Sequence, residues 1–292
     1  MRIIDIASLL LVGLASLVEA QRLPRRSCGA PDKSPDELSQ AEDNFRQNAP
    51  SGAAFGDSAP GILTEYTPQV IDVHWHVIRA GEKEEEGNIP DSQLDSQLDV
   101  LNKAYAPAAL SFRLANVTRT TNADWFRGAG PNNIQQADMK KTLGVRRPDV
   151  LNVYSVAFRT TGLLGYATFP GDYERKPEDD GIVILYSSVP GGVFAPFNLG
   201  HTATHEIGHW VGLYHTFQGG CPPPGDYVDD TPPESSPTYG CPASRDSCVD
   251  SEGVDSIHNY MNYADDVCMN NFTQGQIDRL RAQIATYRGI PL

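Results

Sequence analysis

One short stretch, which contains His205, Glu206, His209 and His215, constrains this chain more than any other. His205 and His209 are four residues apart, so a helix would place both imidazoles on one face, where they can bind one metal ion. Gly212 can adopt a positive φ and end that helix. The chain can then turn back and bring His215 to the same ion.

Three histidines leave a fourth coordination position open for water, which is typical of catalytic rather than structural zinc sites. Glu206 directly follows the first histidine, where a general base can reach that water. An isolated pair of histidines at this spacing arises by chance on many helices. Glu206, Gly212 and His215 at their offsets make chance a poor explanation. The stretch therefore predicts a catalytic zinc ion held by His205, His209 and His215.

The stretch matches every fixed position of H-E-x-x-H-x-x-G-x-x-H, so the chain resembles the metzincin metallopeptidases. A methionine turn lies beneath the metal in that clan, and Asn-Tyr-Met-Asn-Tyr at 259–263 is the candidate. This form of the turn, with the cysteine-bearing loop before it, resembles the pappalysin family, particularly its small secreted fungal and bacterial members. The resemblance extends from about Gln69 to the C-terminus.

The resemblance implies an α/β (α+β) fold of metzincin type. A mixed twisted sheet and the active-site helix would form the upper half, and an irregular, disulfide-stapled segment the lower half. The implied reaction is hydrolysis of protein or peptide substrates by zinc-activated water, with Glu206 as general base. Met261 would pack under the zinc without binding it, and Tyr263 would donate its hydroxyl to the oxyanion. Asp266 would line the pocket for the residue after the scissile bond and favour arginine or lysine there.

Strand and helix patterns alternate up to His215, and the remainder is mostly loop. Strands are expected at 70–78, 111–118, 150–157 and 181–186, with an edge segment at 162–169 that pairs with extended substrate in metzincins. Helices are expected at 35–47, 91–105, 133–143 and 273–287, and the active-site helix is expected to begin near Asn198 as N-cap.

Four cysteines cluster in the lower half, and their spacing alone allows three connectivities. A zinc knuckle is the competing interpretation, although the chain has no C-x-x-C pair. The pappalysin resemblance implies the pairs Cys221–Cys248 and Cys241–Cys268.

An acidic loop between the cysteines carries Asp226, Asp229 and Asp230. Hard oxygen ligands at this spacing can bind Ca²⁺, and related enzymes carry calcium in this lower region. The loop is not an EF-hand, and an exposed acidic turn is the alternative. A calcium site at these three residues is therefore a second metal prediction.

Residues 1–20 have the features of a secretory signal peptide, with a basic start and an apolar run too short to cross a membrane. Secretion makes the sequons at Asn116 and Asn271 candidate glycosylation sites. A net charge of −14 makes nucleic acid and anionic membrane surfaces poor partners. We expect a secreted monomer.

Residues 21–60 are polar and are predicted to be a propeptide before a catalytic domain at 61–292. The run Arg-Arg-Ser-Cys-Gly-Ala-Pro-Asp at 25–32 resembles the cysteine switch of matrixins, in which a prosegment thiolate occupies the fourth zinc position. Ser27 departs from that pattern by separating Arg26 from Cys28. Cleavage at the dibasic Arg25-Arg26 would leave Cys28 on the mature chain, and an unpaired or intermolecular thiol is the alternative.

Three other functions are compatible with parts of the pattern. In a gluzincin-type protease a downstream glutamate, here Glu234, would replace His215 as third ligand. A secreted, non-catalytic zinc-binding protein would need the histidines but not Glu206. A metal hydrolase that does not act on peptides could use the same motif.

Overall fold

The computed structural model describes residues 25–31, 33–50, 66–158 and 161–292, and the predicted signal peptide at 1–20 lies outside them. The helices are α1 (Pro35–Asn48), α2 (Asp91–Tyr105), α3 (Ala123–Gly128), α4 (Ile134–Leu143), α5 (His201–Trp210) and α6 (Gln274–Arg288). The strands are β1 (Gln69–Arg79), β2 (Leu110–Thr121), β3 (Val150–Val156), β4 (Gly165–Ala167) and β5 (Ile182–Leu185). The predicted α/β class is confirmed.

The five strands form one mixed sheet in the order β2-β1-β3-β5-β4. Four strands run parallel, and β4 pairs antiparallel with β5 at one edge. Every residue of β3 and β5 is buried, as expected for parallel strands covered on both faces. Because β5 occupies only one side of β4, the other side can pair with an additional extended chain.

The main core packs between this sheet, α2, α5 and α6. Helix α2 turns Leu94, Leu98 and Leu101 into it at helical spacing. At the end of α2, Tyr105 donates its hydroxyl to the carbonyl oxygen of Thr204 in α5 at 2.8 Å. Nine of the ten residues of α5 are buried, so the helix that carries the histidine motif is itself a core element.

A buried ion pair holds the C-terminal end of α5. Asp180 accepts hydrogen bonds from Trp210 Nε1 at 3.0 Å and from both terminal nitrogens of Arg288 at 3.1 Å. The Arg288 guanidinium also lies 3.6 Å from the centroid of the Trp210 ring. Because both charged groups are buried, these charge-assisted hydrogen bonds join the sheet, α5 and α6.

Between α5 and α6 the described chain forms turns, bends and one short 3₁₀ helix. Two disulfides join Cys221 to Cys248 and Cys241 to Cys268, with Cα atoms 5.5 and 5.6 Å apart. The family resemblance implies this same pairing. Each bond spans 27 residues, and closing such a loop contributes about 3 kcal/mol in the chain-entropy account.

Two local expectations differ from the structure. Helix α5 begins after Gly200 rather than near Asn198, whose side chain instead donates to the carbonyl oxygen of Gly192. The carboxylate of Asp266, distant in sequence, accepts the N–H groups of Leu199 and His201, so no local N-cap is needed. The six-residue helix α3 was not predicted because it is too short to show helical periodicity.

The substitution Asp180→Asn is expected to lower the free energy of unfolding by about 3–5 kcal/mol, because it leaves the buried Arg288 charge without its partner. Denaturant titration followed by far-UV circular dichroism measures the change. Asp149→Asn, which removes a surface ion pair with Arg147, should leave the midpoint of the denaturant transition unchanged. Equal midpoints for Asp180→Asn and the original chain would contradict the assigned role of the buried pair.

Candidate active site

Two backbone carbonyl groups outside α5 orient two of the histidines on that helix. His205 Nδ1 lies 2.7 Å from the carbonyl oxygen of Tyr260, and His209 Nδ1 lies 2.8 Å from that of Leu213. Gly212 has a φ of 103°, a conformation that favours glycine and lets the chain reverse after α5. With Nδ1 of each ring donating to a carbonyl, Nε2 carries the free lone pair.

The described part of the chain contains one group of side chains suited to hold a metal ion: Cys28, His205, His209 and His215, with ligand atoms all within 4.8 Å of one another. His205 Nε2 is buried without a hydrogen-bond partner, and the Nε2 atoms of His209 and His215 lie 3.1 Å apart. Burial lowers the pKa of all three imidazoles, that of His209 to about 4. Neutral imidazoles with converging nitrogens are a fitting donor set for a metal ion.

Glu206 lies beside this cluster and beneath the edge strand. Its side chain is buried, and burial raises its pKa to about 8. A Cβ atom on Gly165 would lie 2.7 Å from the Glu206 carboxyl group. Glycine at this position of β4 therefore lets the strand backbone approach the carboxyl group closely.

Cys28 is the fourth member of the cluster, and its segment pairs with β4 in the parallel direction. The Gly29 N–H donates to the Gly165 carbonyl at 2.8 Å, and the Leu164 N–H donates to the Ser27 carbonyl at 2.9 Å. Cys28 Sγ lies 3.4 Å from the Glu206 carboxylate. The N-terminal segment thus occupies the open side of the edge strand.

Tyr263 and Met261 flank the cluster from the lower half. The Tyr263 hydroxyl lies 3.4 Å from His215 Nε2 and accepts the Cys28 N–H at 3.2 Å. Met261 is fully buried, and its sulfur lies against the backbone of Gly208 in α5. Both residues therefore contact the histidine motif, Tyr263 at the ligand nitrogens and Met261 under the helix.

Asp266 forms a buried ion pair with Arg26. The same carboxylate accepts the N–H of Leu199 at 2.8 Å, and Arg26 Nε also donates to the carbonyl of Ala264 at 3.3 Å. Ser27 places Arg26 and Cys28 two residues apart, so both side chains point to the same face of the extended segment. The Arg26 side chain is therefore buried between Asp266 and the backbone of Ala264.

Helix α1 provides a second contact that the sequence did not reveal. Glu42 forms a bidentate ion pair with Arg279 of α6, at 2.5 and 2.9 Å, and both side chains are buried. Phe45 is buried and lies beside the Tyr287 ring, with centroids 6.2 Å apart. The helical spacing of α1 indicated an apolar face, but no local pattern identifies Arg279 as its partner.

The three candidate calcium ligands do not form one site in the described protein. Asp226 is buried, and its Oδ1 accepts hydrogen bonds from Thr231 Oγ1 and Val228 N. Asp229 and Asp230 are exposed, and Asp230 accepts the N–H of Gly275 in α6. Asp226 and Asp230 therefore accept hydrogen bonds from different parts of the protein.

The remaining candidates lie away from the histidine cluster. Glu234 is buried and accepts hydrogen bonds from Asn262 and Ser256 in the lower half, so it is not placed as an alternative metal ligand. Asn116 and Asn271 are both exposed, which leaves either sequon accessible to a glycosyltransferase.

Comparisons with known proteins agree with this geometry. Residues 194–285 match the peptidase family M43 model, described as Pregnancy-associated plasma protein-A. The chain is 43% identical to Extracellular metalloprotease 1 of Coccidioides posadasii, over 90% of this chain and 91% of that protein. It is 41% identical to an extracellular metalloprotease of Colletotrichum graminicola, over 96% and 97% of the two chains.

Solved structures of one bacterial protein are also similar. A mutant of Tannerella forsythia promirolysin aligns with a TM-score of 0.70 and 27% identity, covering 90% of this chain and 95% of that one. Mature mirolysin in complex with a cleaved peptide aligns with a TM-score of 0.64 and 28% identity, covering 76% and 96%.

The mixed sheet, the buried histidine helix and the disulfide-stapled lower half define a metzincin-type metallopeptidase. Within that class, the chain belongs to the pappalysin family, peptidase family M43.

The substitution Gly208→Ala tests the contact between α5 and the methionine turn. A Cβ at this position would lie 2.2 Å from the Met261 sulfur, which has no room to move. We expect a net loss of stability, because overpacking costs about 1–3 kcal/mol and outweighs the gain in helix propensity of roughly 1 kcal/mol. Gly171→Ala is the control, since its Cβ would have no neighbour nearer than 3.6 Å. Thermal melts in which the two variants match would refute the contact.

Proposed function

We propose that this chain is a secreted zinc endopeptidase that is synthesised as a zymogen. The convergence of three histidine nitrogens beside Glu206, along an edge strand that can pair with an extended peptide, carries the proposal. A groove of this kind binds peptide backbone without reading its sequence. Protein and peptide substrates are therefore the class that fits.

His205, His209 and His215 would hold the zinc ion. The unpartnered His205 Nε2 and the close Nε2 atoms of His209 and His215 support this donor set. When bound, zinc acts as a Lewis acid that acidifies water and polarises a carbonyl group. The carbonyl contacts of the Nδ1 atoms keep the rings neutral and oriented for this purpose.

Glu206 is the general base and then the general acid. Its buried carboxylate takes a proton from the attacking water and delivers it to the leaving amine. Tyr263 is the candidate donor to the oxyanion, because its hydroxyl already lies 3.4 Å from His215 Nε2.

Asp266 selects a basic residue just after the scissile bond. Its carboxylate sits at the bottom of a buried position that Arg26 of the prosegment fills. A guanidinium in that position supports a pocket for arginine or lysine. The same carboxylate also binds the start of α5, so the residue that forms the pocket also positions the active-site helix.

The prosegment keeps the enzyme latent by two contacts in the cleft. Cys28 stands at the open ligand position and Arg26 fills the Asp266 pocket. The larger share of this chain covered by promirolysin, 90% against 76% for mature mirolysin, supports a prosegment before β1. We place it at residues 21–60, with the catalytic domain at 61–292.

Secretion is supported by relatives that are named extracellular metalloproteases and by two disulfides, which form in oxidising compartments. Within the described residues no helix could span a membrane. The predicted signal peptide and glycosylation at Asn116 and Asn271 belong to this proposal.

A secreted, non-catalytic zinc-binding protein is the competing function. Such a protein has no use for a buried carboxyl group at Glu206. The two functions are separated by an experiment on that residue.

The mature enzyme, loaded with zinc, is expected to cut a denatured protein mixture, whereas Glu206→Ala is expected to lose at least about 100-fold in rate because the general base is gone. Mass spectrometry of the fragments measures both the rate and the residues around each cut. We expect arginine and lysine to be enriched immediately after the scissile bond, and chelation to stop cleavage. Equal activity of both proteins, or none in either, would reject the peptidase function.

The intact precursor is expected to be silent on a fluorogenic peptide, and Cys28→Ser and Arg26→Gln are each expected to release activity. Serine is a poor substitute for a thiolate ligand, and glutamine leaves the Asp266 charge buried without a cation. Gels run alongside confirm that the prosegment is still attached. Arg46→Gln is the matched control, because this exposed arginine pairs with Asp43 within α1. An unmodified precursor as active as the mature enzyme would disprove latency.

A further inference from the structure

We propose that Phe169 and Tyr214 form a pocket for a large apolar side chain of the substrate segment before the scissile bond. The inference rests on the proposed peptidase function and adds a second substrate position that the cleft selects. Both rings are nearly buried, at 7% and 6% exposure, and residues of the prosegment provide part of that cover.

The cover is a small apolar cluster separate from the main core. Ala30 and Leu38 of the prosegment pack on Phe169 and Tyr214, whose ring centroids are 5.4 Å apart. Lys33 adds its ammonium group 5.1 Å from the centroid of the Phe169 ring. When the prosegment leaves, these three side chains leave with it, and the two rings face the cleft.

The pocket directly adjoins the metal-binding cluster. The Phe169 ring centroid lies 5.4 Å from that of His209, and Tyr214 immediately precedes His215. A void of about 10 Å³ is bordered by both rings, by both histidines and by the prosegment residues that pack there. A substrate held at the metal must therefore pass beside the Phe169 and Tyr214 rings, which we call the aromatic wall.

The prosegment shows which part of a substrate reaches the wall. Arg26 lies two residues before Cys28 and fills the Asp266 pocket, whereas Ala30 lies two residues after Cys28 and contacts Phe169. The two pockets therefore lie on opposite sides of the metal site. Alternate residues of an extended chain point to the same face. A substrate that fills the Asp266 pocket with the residue after its cut runs in the opposite direction to the prosegment, so a residue on the same face before the cut, the second or the fourth, reaches Phe169.

The chemistry of the wall favours a large apolar side chain. When the prosegment leaves, Ala30 and Leu38 no longer cover the two rings. One substrate side chain of the size of leucine or larger can take their place. Of the non-prosegment residues that border the void, Gln218 alone offers a side-chain amide. A serine at the substrate position would leave both aromatic faces in contact with water.

Two peptides test the proposal with the mature, zinc-loaded enzyme. They carry arginine after the scissile bond and differ only in having leucine or serine at the second and fourth residues before it. We expect kcat/KM to be about tenfold higher for the leucine peptide, because a leucine side chain is removed from water in the pocket. Binding of both peptides to the inactive Glu206→Ala enzyme, followed by fluorescence anisotropy, should show the same order of affinity.

Three variants identify the pocket. Phe169→Ser should bring the leucine-to-serine ratio close to one, and Phe169→Leu should preserve it. Val249→Ser, at a residue that is 76% exposed in the lower half, should keep both the ratio and the rate. Thermal melts check that each variant is folded. If Phe169→Ser does not fold, the leucine-to-serine ratio of the unmodified enzyme decides whether the pocket exists.

The possible failures are distinguishable. Equal rates for the two peptides with the unmodified enzyme would overturn the pocket while leaving the peptidase function intact. A leucine preference that survives in a folded Phe169→Ser enzyme would overturn the role of Phe169. Cleavage of neither peptide nor of denatured protein would overturn the proposed function, and the pocket with it.

Discussion

The active-site helix is held at each end by a buried carboxylate from a distant part of the chain. Asp266 accepts the N–H groups of Leu199 and His201 at its start, and Asp180 binds Trp210 at its end. Buried carboxylates are costly to leave unpaired, so each also binds an arginine, Arg26 or Arg288. The position of the histidines, and hence of the cleft, depends on these two anchors.

The sequence predicted those features of the fold and the site that depend on local residue spacing. The offsets within 205–215 follow from helix geometry and a glycine turn, and the structure brings those side chains together. Strand and helix positions followed from hydrophobic periodicity. The Asn198 cap was wrong because Asp266, 67 residues from Leu199, binds the start of the helix. The partner of Arg279 was missed because Glu42 lies 237 residues away. No spacing rule connects such residues, and only the folded backbone brings them into contact.

The proposed prosegment occupies the same pockets as a substrate but runs through the cleft in the opposite chain direction. It pairs with the edge strand, fills the Asp266 pocket with an arginine, and covers the aromatic wall with apolar side chains. At the metal site, however, it offers the Cys28 thiol in place of a peptide carbonyl. Ser27 makes this arrangement possible, because it gives Arg26 and Cys28 the spacing of residues on one face of a strand.

The ion pair between Glu42 and Arg279 has a consequence for the timing of activation. It joins α1 to α6 of the catalytic domain without any covalent link, and the Arg279 guanidinium lies 4.9 Å from the centroid of the Tyr214 ring. In the proposed zymogen, a cut between α1 and β1 would therefore convert a tethered inhibitor into a bound one, and would not free the cleft by itself. Release would then follow mass action. A high concentration would keep the cleaved complex together, and dilution would separate it.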